Sequence, residues 1–181
     1  MNILFLGQPG VGKSTYSALV GKHFKIPSVS AGELLRQEVK KGTALGKKVK
    51  PYIDKGLLVP HIITDALLIQ RFKQSDCKKG FILNGILSPS ERSDLLHRHI
   101  KIDYVIYFKA PKKTLLKRIA GRKGRSDSTP RVVELRYQAY KKRNSKLRGI
   151  YNKQGILTVI DARPPIDEVV ERIIDVIDEN R

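Results

Sequence analysis

Residues 1–15 read Met1-Asn2-Ile3-Leu4-Phe5-Leu6-Gly7-Gln8-Pro9-Gly10-Val11-Gly12-Lys13-Ser14-Thr15. Gly7 to Ser14 satisfy the pattern G-x-x-x-x-G-K-[ST] at every fixed position. An apolar run, Ile3 to Leu6, leads in, and a helix-like run, Thr15 to Phe24, leads out, which is the strand–loop–helix context the pattern requires. Glycines in such a loop let the backbone turn tightly and bring its N–H groups up to phosphate oxygens. The helix that follows points its positive end at the same anion. Gly10, Val11, Gly12, Lys13, Ser14 and Thr15 are therefore the expected triphosphate cradle. In it Lys13 reaches the β- and γ-phosphates and Ser14 offers a hydroxyl to Mg²⁺.

The rest of the chain sets the frame for that loop. A length of 181 residues suits one large domain, and 40% hydrophobic residues suffice for a core. Cys77 is the single cysteine, which excludes an internal disulfide and a zinc cluster of four cysteines. No apolar run approaches the ~18 residues of a membrane span, and Ile3 to Leu6 is too short for a signal-peptide core. The expectation is a cytoplasmic protein. Net charge is +19, unevenly spread. From Lys109 to Arg148 there are 15 Lys/Arg against Asp127 and Glu134; from Asp161 to Arg181 there are 7 acidic and 3 basic residues. A basic region of this kind clamps triphosphates or binds nucleic acid non-specifically.

Short continuous apolar runs at 2–6, 28–30, 81–83, 104–108 and 156–160 read as buried parallel strands. Helices are expected at Thr15–Phe24, from about Ala31, at about Ala44–Asp54, and at Ile62–Gln74 after Pro60. Further helices are expected at Ser90–His97, Lys112–Ile119, Arg131 to about Tyr151, and Ile166–Ile177. Ser30 and Glu33 have the spacing of a capping box. Strands alternating with helices predict an α/β protein: a five-stranded parallel sheet with helices on both faces. Ligands then sit at the C-terminal strand ends, at Gly7 onward, Ser30, Asn84-Gly85, Lys109 and Asp161. The stretch 31–74 is longer than a crossover needs, and the loop 121–130 is a candidate lid. His23, His61, His97 and His99 form no metal-ligand spacing.

Taken together, these segments resemble the adenylate kinase family over nearly the whole chain. Gly7-Gln8-Pro9-Gly10-Val11-Gly12-Lys13 resembles its phosphate loop. Ser30-Ala31-Gly32-Glu33-Leu34-Leu35-Arg36 resembles its S-T-G-D-x-L-R segment, and Gly56-Leu57-Leu58-Val59-Pro60 its G-x-L-V stretch. Gly80-Phe81-Ile82-Leu83-Asn84-Gly85 resembles G-F-[IL]-L-D-G. Arg118, Arg122, Arg125 and Arg136 fall where that family places the arginines flanking its lid.

The resemblance implies a three-layer α/β/α P-loop kinase fold in one domain, 1–181. Its core would be 1–29, 75–120 and 137–181, with a monophosphate-binding part at about 30–60 and a short lid at about 121–136. It implies a monomeric nucleoside monophosphate kinase that moves the ATP γ-phosphoryl group to AMP, with Mg²⁺ and without structural zinc. The implied catalytic residues are Lys13, Arg36, Arg122, Arg125 and Arg136, with Arg118 on the donor side. Ser30, Arg36, Leu57, Val59, Gly85 and Arg92 would bind the monophosphate. Arginine suits such work because its planar fork grips phosphate oxygens in pairs.

Four residues depart from the family pattern. Ala31 replaces a Thr, so one acceptor-side hydroxyl is lost. Asn84 replaces the strand-end Asp that holds Mg²⁺, and an amide is a poorer partner for a hard cation. Ser88 replaces an acceptor-phosphate Arg. Arg92 replaces the Gln that reads adenine. Within this reading Arg92 offers its guanidinium in place of the lost Arg, and Ser14 carries more of the metal. The departures leave two alternatives: a UMP/CMP-type kinase, or a weakened nucleotide-binding protein that binds RNA through its basic face.

Overall fold

The computed structural model describes residues 1–85, 100–120 and 129–180. Five strands form one parallel sheet: β1 (Asn2–Gly7), β2 (Ser28–Ser30), β3 (Phe81–Asn84), β4 (Tyr104–Lys109) and β5 (Leu157–Asp161), in the spatial order β2-β3-β1-β4-β5. Seven α-helices are described: α1 (Lys13–Phe24), α2 (Ala31–Lys41), α3 (Ala44–Asp54), α4 (His61–Phe72), α5 (Lys112–Ala120), α6 (Pro130–Lys153) and α7 (Ile166–Glu179). The expected α/β class and the five strands are therefore found, with shifts of a residue or two at several element ends. The expected helix Ser90–His97 and most of the loop 121–130 lie outside the described residues.

The sheet is apolar on both faces because helices cover both. Along β1, Ile3 and Phe5 join Tyr16 and Val20 of α1 and Val169, Ile173 and Ile177 of α7. Leu4 and Leu6 point the other way, into a second core with Leu68 of α4 and Leu147 and Tyr151 of α6. All four β1 side chains are fully buried. Strand alternation thus feeds two cores from one strand, and this is why β1 reads as a continuous apolar run.

Register then positions the strand ends. Phe5 lies opposite Asn84 on one side and Ile106 on the other. Ser30 lies opposite Asn84. The ends of β2, β3 and β1 therefore form one rim, with β3 between the other two and the phosphate loop following β1. Helix α2 begins where this rim ends: the Ser30 hydroxyl accepts the Glu33 N–H at 3.3 Å. The capping box is only half formed, since the Glu33 carboxylate instead accepts from Arg36 at 2.8 Å. Thr43 caps α3 by accepting the Gly46 N–H at 2.9 Å and donates its own hydroxyl to Glu38 at 2.7 Å, which joins α2 to α3.

Candidate active site

Gly12 has φ 105° and ends the phosphate loop in the left-handed region, immediately before α1. A Cβ at Gly12 would stand 2.8 Å from the Tyr16 ring, so both backbone and space demand glycine. The turn directs Lys13 back over the loop. Its ammonium donates to the Gly7 carbonyl at 2.8 Å and the Gln8 carbonyl at 3.1 Å, and lies 5.9 Å from the centre of the Tyr140 ring of α6. Lys13 is thereby held at the mouth of the loop, where the first turn of α1 also presents Ser14.

A single cleft runs from this loop to α2 and the segment after α3. Gly10, Gly12, Lys13 and Ser14 line one end, with Ile119, Val133 and Arg136 beside them. Ser30, Ala31, Leu35, Arg36, Ile53 and the residues from Gly56 to Val59 line the other, with Asn84 and Gly85 at the rim. These residues of the second end are mostly apolar and include the Arg36 guanidinium. That composition suits a flat base and an anion.

Behind the rim, buried Ser17 and Asn84 and exposed Ser28 form a polar knot. The Asn84 amide N–H donates to the Ser28 hydroxyl at 2.8 Å and to the Ser17 hydroxyl. The two hydroxyls are 2.8 Å apart, and Ser17 also donates to the Ser14 carbonyl at 3.2 Å. Asn84 Oδ1 is buried with no hydrogen-bond partner among the described residues.

A family description, adenylate kinase, matches residues 5–156 of this chain. An adenylate kinase of Bifidobacterium longum is 36% identical over 182 residues, covering 96% of this chain and 98% of that protein. One from Archaeoglobus fulgidus is 35% identical over 208 residues, covering 96% of each. One from Agathobacter rectalis is 32% identical over 214 residues, covering 99% of this chain and all of its own length (100%). The chain belongs to the adenylate kinase family. Its members are phosphotransferases, and the α/β fold described above is consistent with theirs.

Against the adenylate kinase pattern, the expected residues divide into three groups. Gly10, Gly12, Lys13, Ser14, Ser30, Arg36, Leu57, Val59, Gly85 and Arg136 line the common cleft, as does Asn84. Val11, Thr15 and Arg118 do not. The Val11 side chain is buried in the core, and Arg118 donates to the Val11 carbonyl at 3.4 Å, bracing the loop from behind. Ser88, Arg92, Arg122 and Arg125 lie outside the described residues.

All five strand ends lie along one edge of the parallel sheet, but not all of them line the cleft. Lys109 and Asp161, which end β4 and β5, are not in the cleft. Asp161 instead accepts from the Arg163 guanidinium at 2.8 and 3.0 Å, and this pair holds the carboxyl below the usual carboxylate range.

Five polar residues of the cleft escaped the sequence reading: His61, Thr64, Asp65, Tyr140 and Arg143. Asp65 is only 4% exposed. Burial pushes the Arg143 guanidinium below its ordinary range, while Tyr140 and Asp65 act in the opposite direction. The available signal was a charge at an inward-facing helix position: Asp65 stands three residues before buried Leu68, and Arg143 four before buried Leu147.

Among the described residues no helix is long and apolar enough to cross a membrane, and no three His, Cys, Asp or Glu residues group as metal ligands.

Proposed function

We propose that this chain transfers the γ-phosphoryl group of ATP to AMP, giving two molecules of ADP. The observation that carries the reading is the single cleft with the phosphate loop at one end and Ser30–Arg36 and Gly56–Val59 at the other. Two nucleotides laid end to end in it would bring their phosphates together between Lys13, Arg36 and Arg136.

The chemistry asks for position and positive charge more than covalent help. The bond from the γ-phosphorus to the bridging oxygen breaks as a new bond forms to an AMP phosphate oxygen. Negative charge spreads over the transferring group. Loop N–H groups and Lys13 would hold the donor phosphates, Arg36 the acceptor phosphate, and Arg136 the group in flight. Arg122 and Arg125 would close from the lid side, and Arg118 would keep the loop in shape through Val11. Water is a competing acceptor, so lid closure over 121–136 would protect the reaction.

Magnesium fits this cleft as an ion carried in on the triphosphate. The Ser14 hydroxyl and the unpartnered Oδ1 of Asn84 are neutral oxygens, and no carboxylate stands at the strand end. Mg²⁺ commonly takes few protein ligands and keeps water and phosphate oxygens, which such a site allows. Bound there, it would neutralise charge on the β- and γ-phosphates.

AMP is preferred over UMP or CMP because the relatives reported above all bear the name adenylate kinase. Those comparisons lend no support to the RNA-binding alternative. The cytoplasmic assignment rests on the single cysteine and the short apolar runs of the sequence, and the monomeric one on the resemblance. The test is ³¹P NMR of the protein with ATP, AMP and Mg²⁺: the AMP signal should fall as ADP signals grow, and unchanged spectra would reject the reading.

A further inference from the structure

We infer that the solvent face of α6 binds the phosphate backbone of a single-stranded polynucleotide, alongside phosphoryl transfer and not in place of it.

Charge is segregated across the sheet. Helix α7 packs on one face through Val169, Ile173 and Ile177, and α6 packs on the other through Leu147 and Tyr151. The 14 residues of α7 include 6 Asp or Glu and one basic residue, Arg172. From Ala139 to its end at Lys153, α6 has 6 Lys or Arg and no acidic residue. A polyanion is drawn to the α6 side and repelled from the α7 side.

The basic residues of α6 are ordered. Lys142, Lys146 and Lys153 recur at spacings of four and seven, and all three are exposed. They form one row about 16 Å long, on the side of the helix away from Leu147 and Tyr151. Gly149 lies in the same row, and nothing stands within 4 Å of a Cβ placed there. No packing demands a glycine at that point; its bare backbone lets a ligand come close between Lys146 and Lys153. On one flank, Lys142, Arg143 and Lys146 border a depression of about 470 Å³ walled by the segment Leu58 to His61. On the other, the exposed Arg148 guanidinium lies 4.5 Å from the centre of the Tyr107 ring, so its plane is already set for a base to stack on.

These cations repel one another. Lys142 and Lys146 are like charges one turn apart, which destabilises a helix. Among the described residues Lys141, Lys142, Lys146 and Lys153 form no ion pair. The helix dipole favours cations in the last turn, which accounts for Lys153 but not for Lys142 or Lys146. A phosphate strand laid along the row neutralises several of them at once and releases its own counterions. The concave flank and the stackable guanidinium favour a flexible single strand over a flat membrane surface and over a duplex, whose bases are enclosed.

The test is fluorescence anisotropy of a labelled uridine oligonucleotide with the full chain, across a salt series and with excess ADP to block the catalytic cleft. The wild type should bind. Lys142→Gln/Lys146→Gln/Lys153→Gln should bind about tenfold more weakly or worse, with a salt slope smaller by about 2, because each single-strand phosphate contact contributes ~0.7. Lys146→Gln alone should give part of both changes. The triple variant should keep the wild-type melting temperature and the wild-type kinetics with ATP and AMP, since none of the three lysines lines the catalytic cleft. Lys22→Gln/Lys78→Gln/Lys79→Gln removes the same charge around a depression beside α1 and should cost less than about threefold. Equal losses in the two triple variants, binding abolished by ADP, or no binding by the wild type at low salt would overturn the inference. Cosedimentation with phosphatidylserine vesicles in the absence of oligonucleotide binding would also overturn it. A wild type that binds the oligonucleotide but transfers no phosphoryl group would overturn the kinase reading instead.

Discussion

The side-chain amide of Asn84 donates to the Ser28 hydroxyl at 2.8 Å, at the point where β3 and β2 lie side by side at the cleft rim. The same amide donates to Ser17 of α1, so one strand-end side chain ties two strands to the helix that follows the phosphate loop. An uncharged residue can do this by donating. A carboxylate there would have to accept, which both serine hydroxyls can accommodate by rotating.

That relationship gives the first prediction. Asn84→Asp should keep the knot, with Ser17 and Ser28 now donating, and add one negative charge at the rim. The Mg²⁺ concentration for half-maximal activity should fall by about threefold or more, because a carboxylate is the better partner for a hard cation. An unchanged Mg²⁺ dependence would mean the ion is held away from this strand end.

Gly46 couples packing to the acceptor site. A Cβ there would stand 2.1 Å from the Glu38 carbonyl oxygen and 2.4 Å from its carbon, both backbone atoms of α2. Gly46→Ala must therefore push α3 off α2, at a cost of roughly 1–3 kcal/mol. Because α3 leads directly into Gly56–Val59, the AMP KM should rise while ATP affinity stays the same. Measuring both constants with a thermal melt checks this, and an equal loss of ATP binding would count against it.

Tyr151 sets an alkaline limit on stability. Its hydroxyl is buried on α6 with no hydrogen-bond partner among the described residues, and burial pushes its pKa up to about 12. A folded-state pKa above the unfolded value of about 10 means that the folded protein holds this proton more tightly. The contribution is fully present below pH ~10 and is lost as pH rises toward ~12. Tyr151→Phe should remove that loss and, by deleting an unpartnered polar atom, stabilise the protein by about 1 kcal/mol at neutral pH. Denaturant midpoints at pH 7 and pH 10.5–11.5 (roughly the span between those two pKa values) test both parts. A parallel loss in wild type and variant would contradict the assignment.

Much of this was legible in the sequence, for identifiable physical reasons. Most of the strands are short and largely apolar, so period and length pointed the same way. Pro60 marked a helix boundary by its chemistry, and the structure adds Gly42 and Thr43 as the caps that end α2 and begin α3. The phosphate loop was readable because one contiguous stretch encodes its geometry.

What was hidden depended on distant partners. Asp65 and Arg143 lie 78 residues apart, and each alone reads as a solvated charge; only the folded chain brings both to the wall of one cleft. The Ser17–Ser28–Asn84 knot joins three segments with no shared pattern. Lys109 and Asp161 looked like site residues because they end strands, but Arg163, two residues on, neutralises Asp161 outside the cleft. Gly46 sits in the first turn of α3, and the reason it is glycine is the backbone of another helix.

The central claim is that one cleft serves two nucleotides, with Lys13 between them. It is tested most directly by a coupled assay with Mg-ATP and AMP, CMP, UMP or GMP, using wild type and Lys13→Ala. The account predicts turnover that favours AMP, with kcat down by about 10²–10³ or more in Lys13→Ala, because that ammonium serves the developing charge. No turnover with any monophosphate, or turnover indifferent to Lys13, would contradict it.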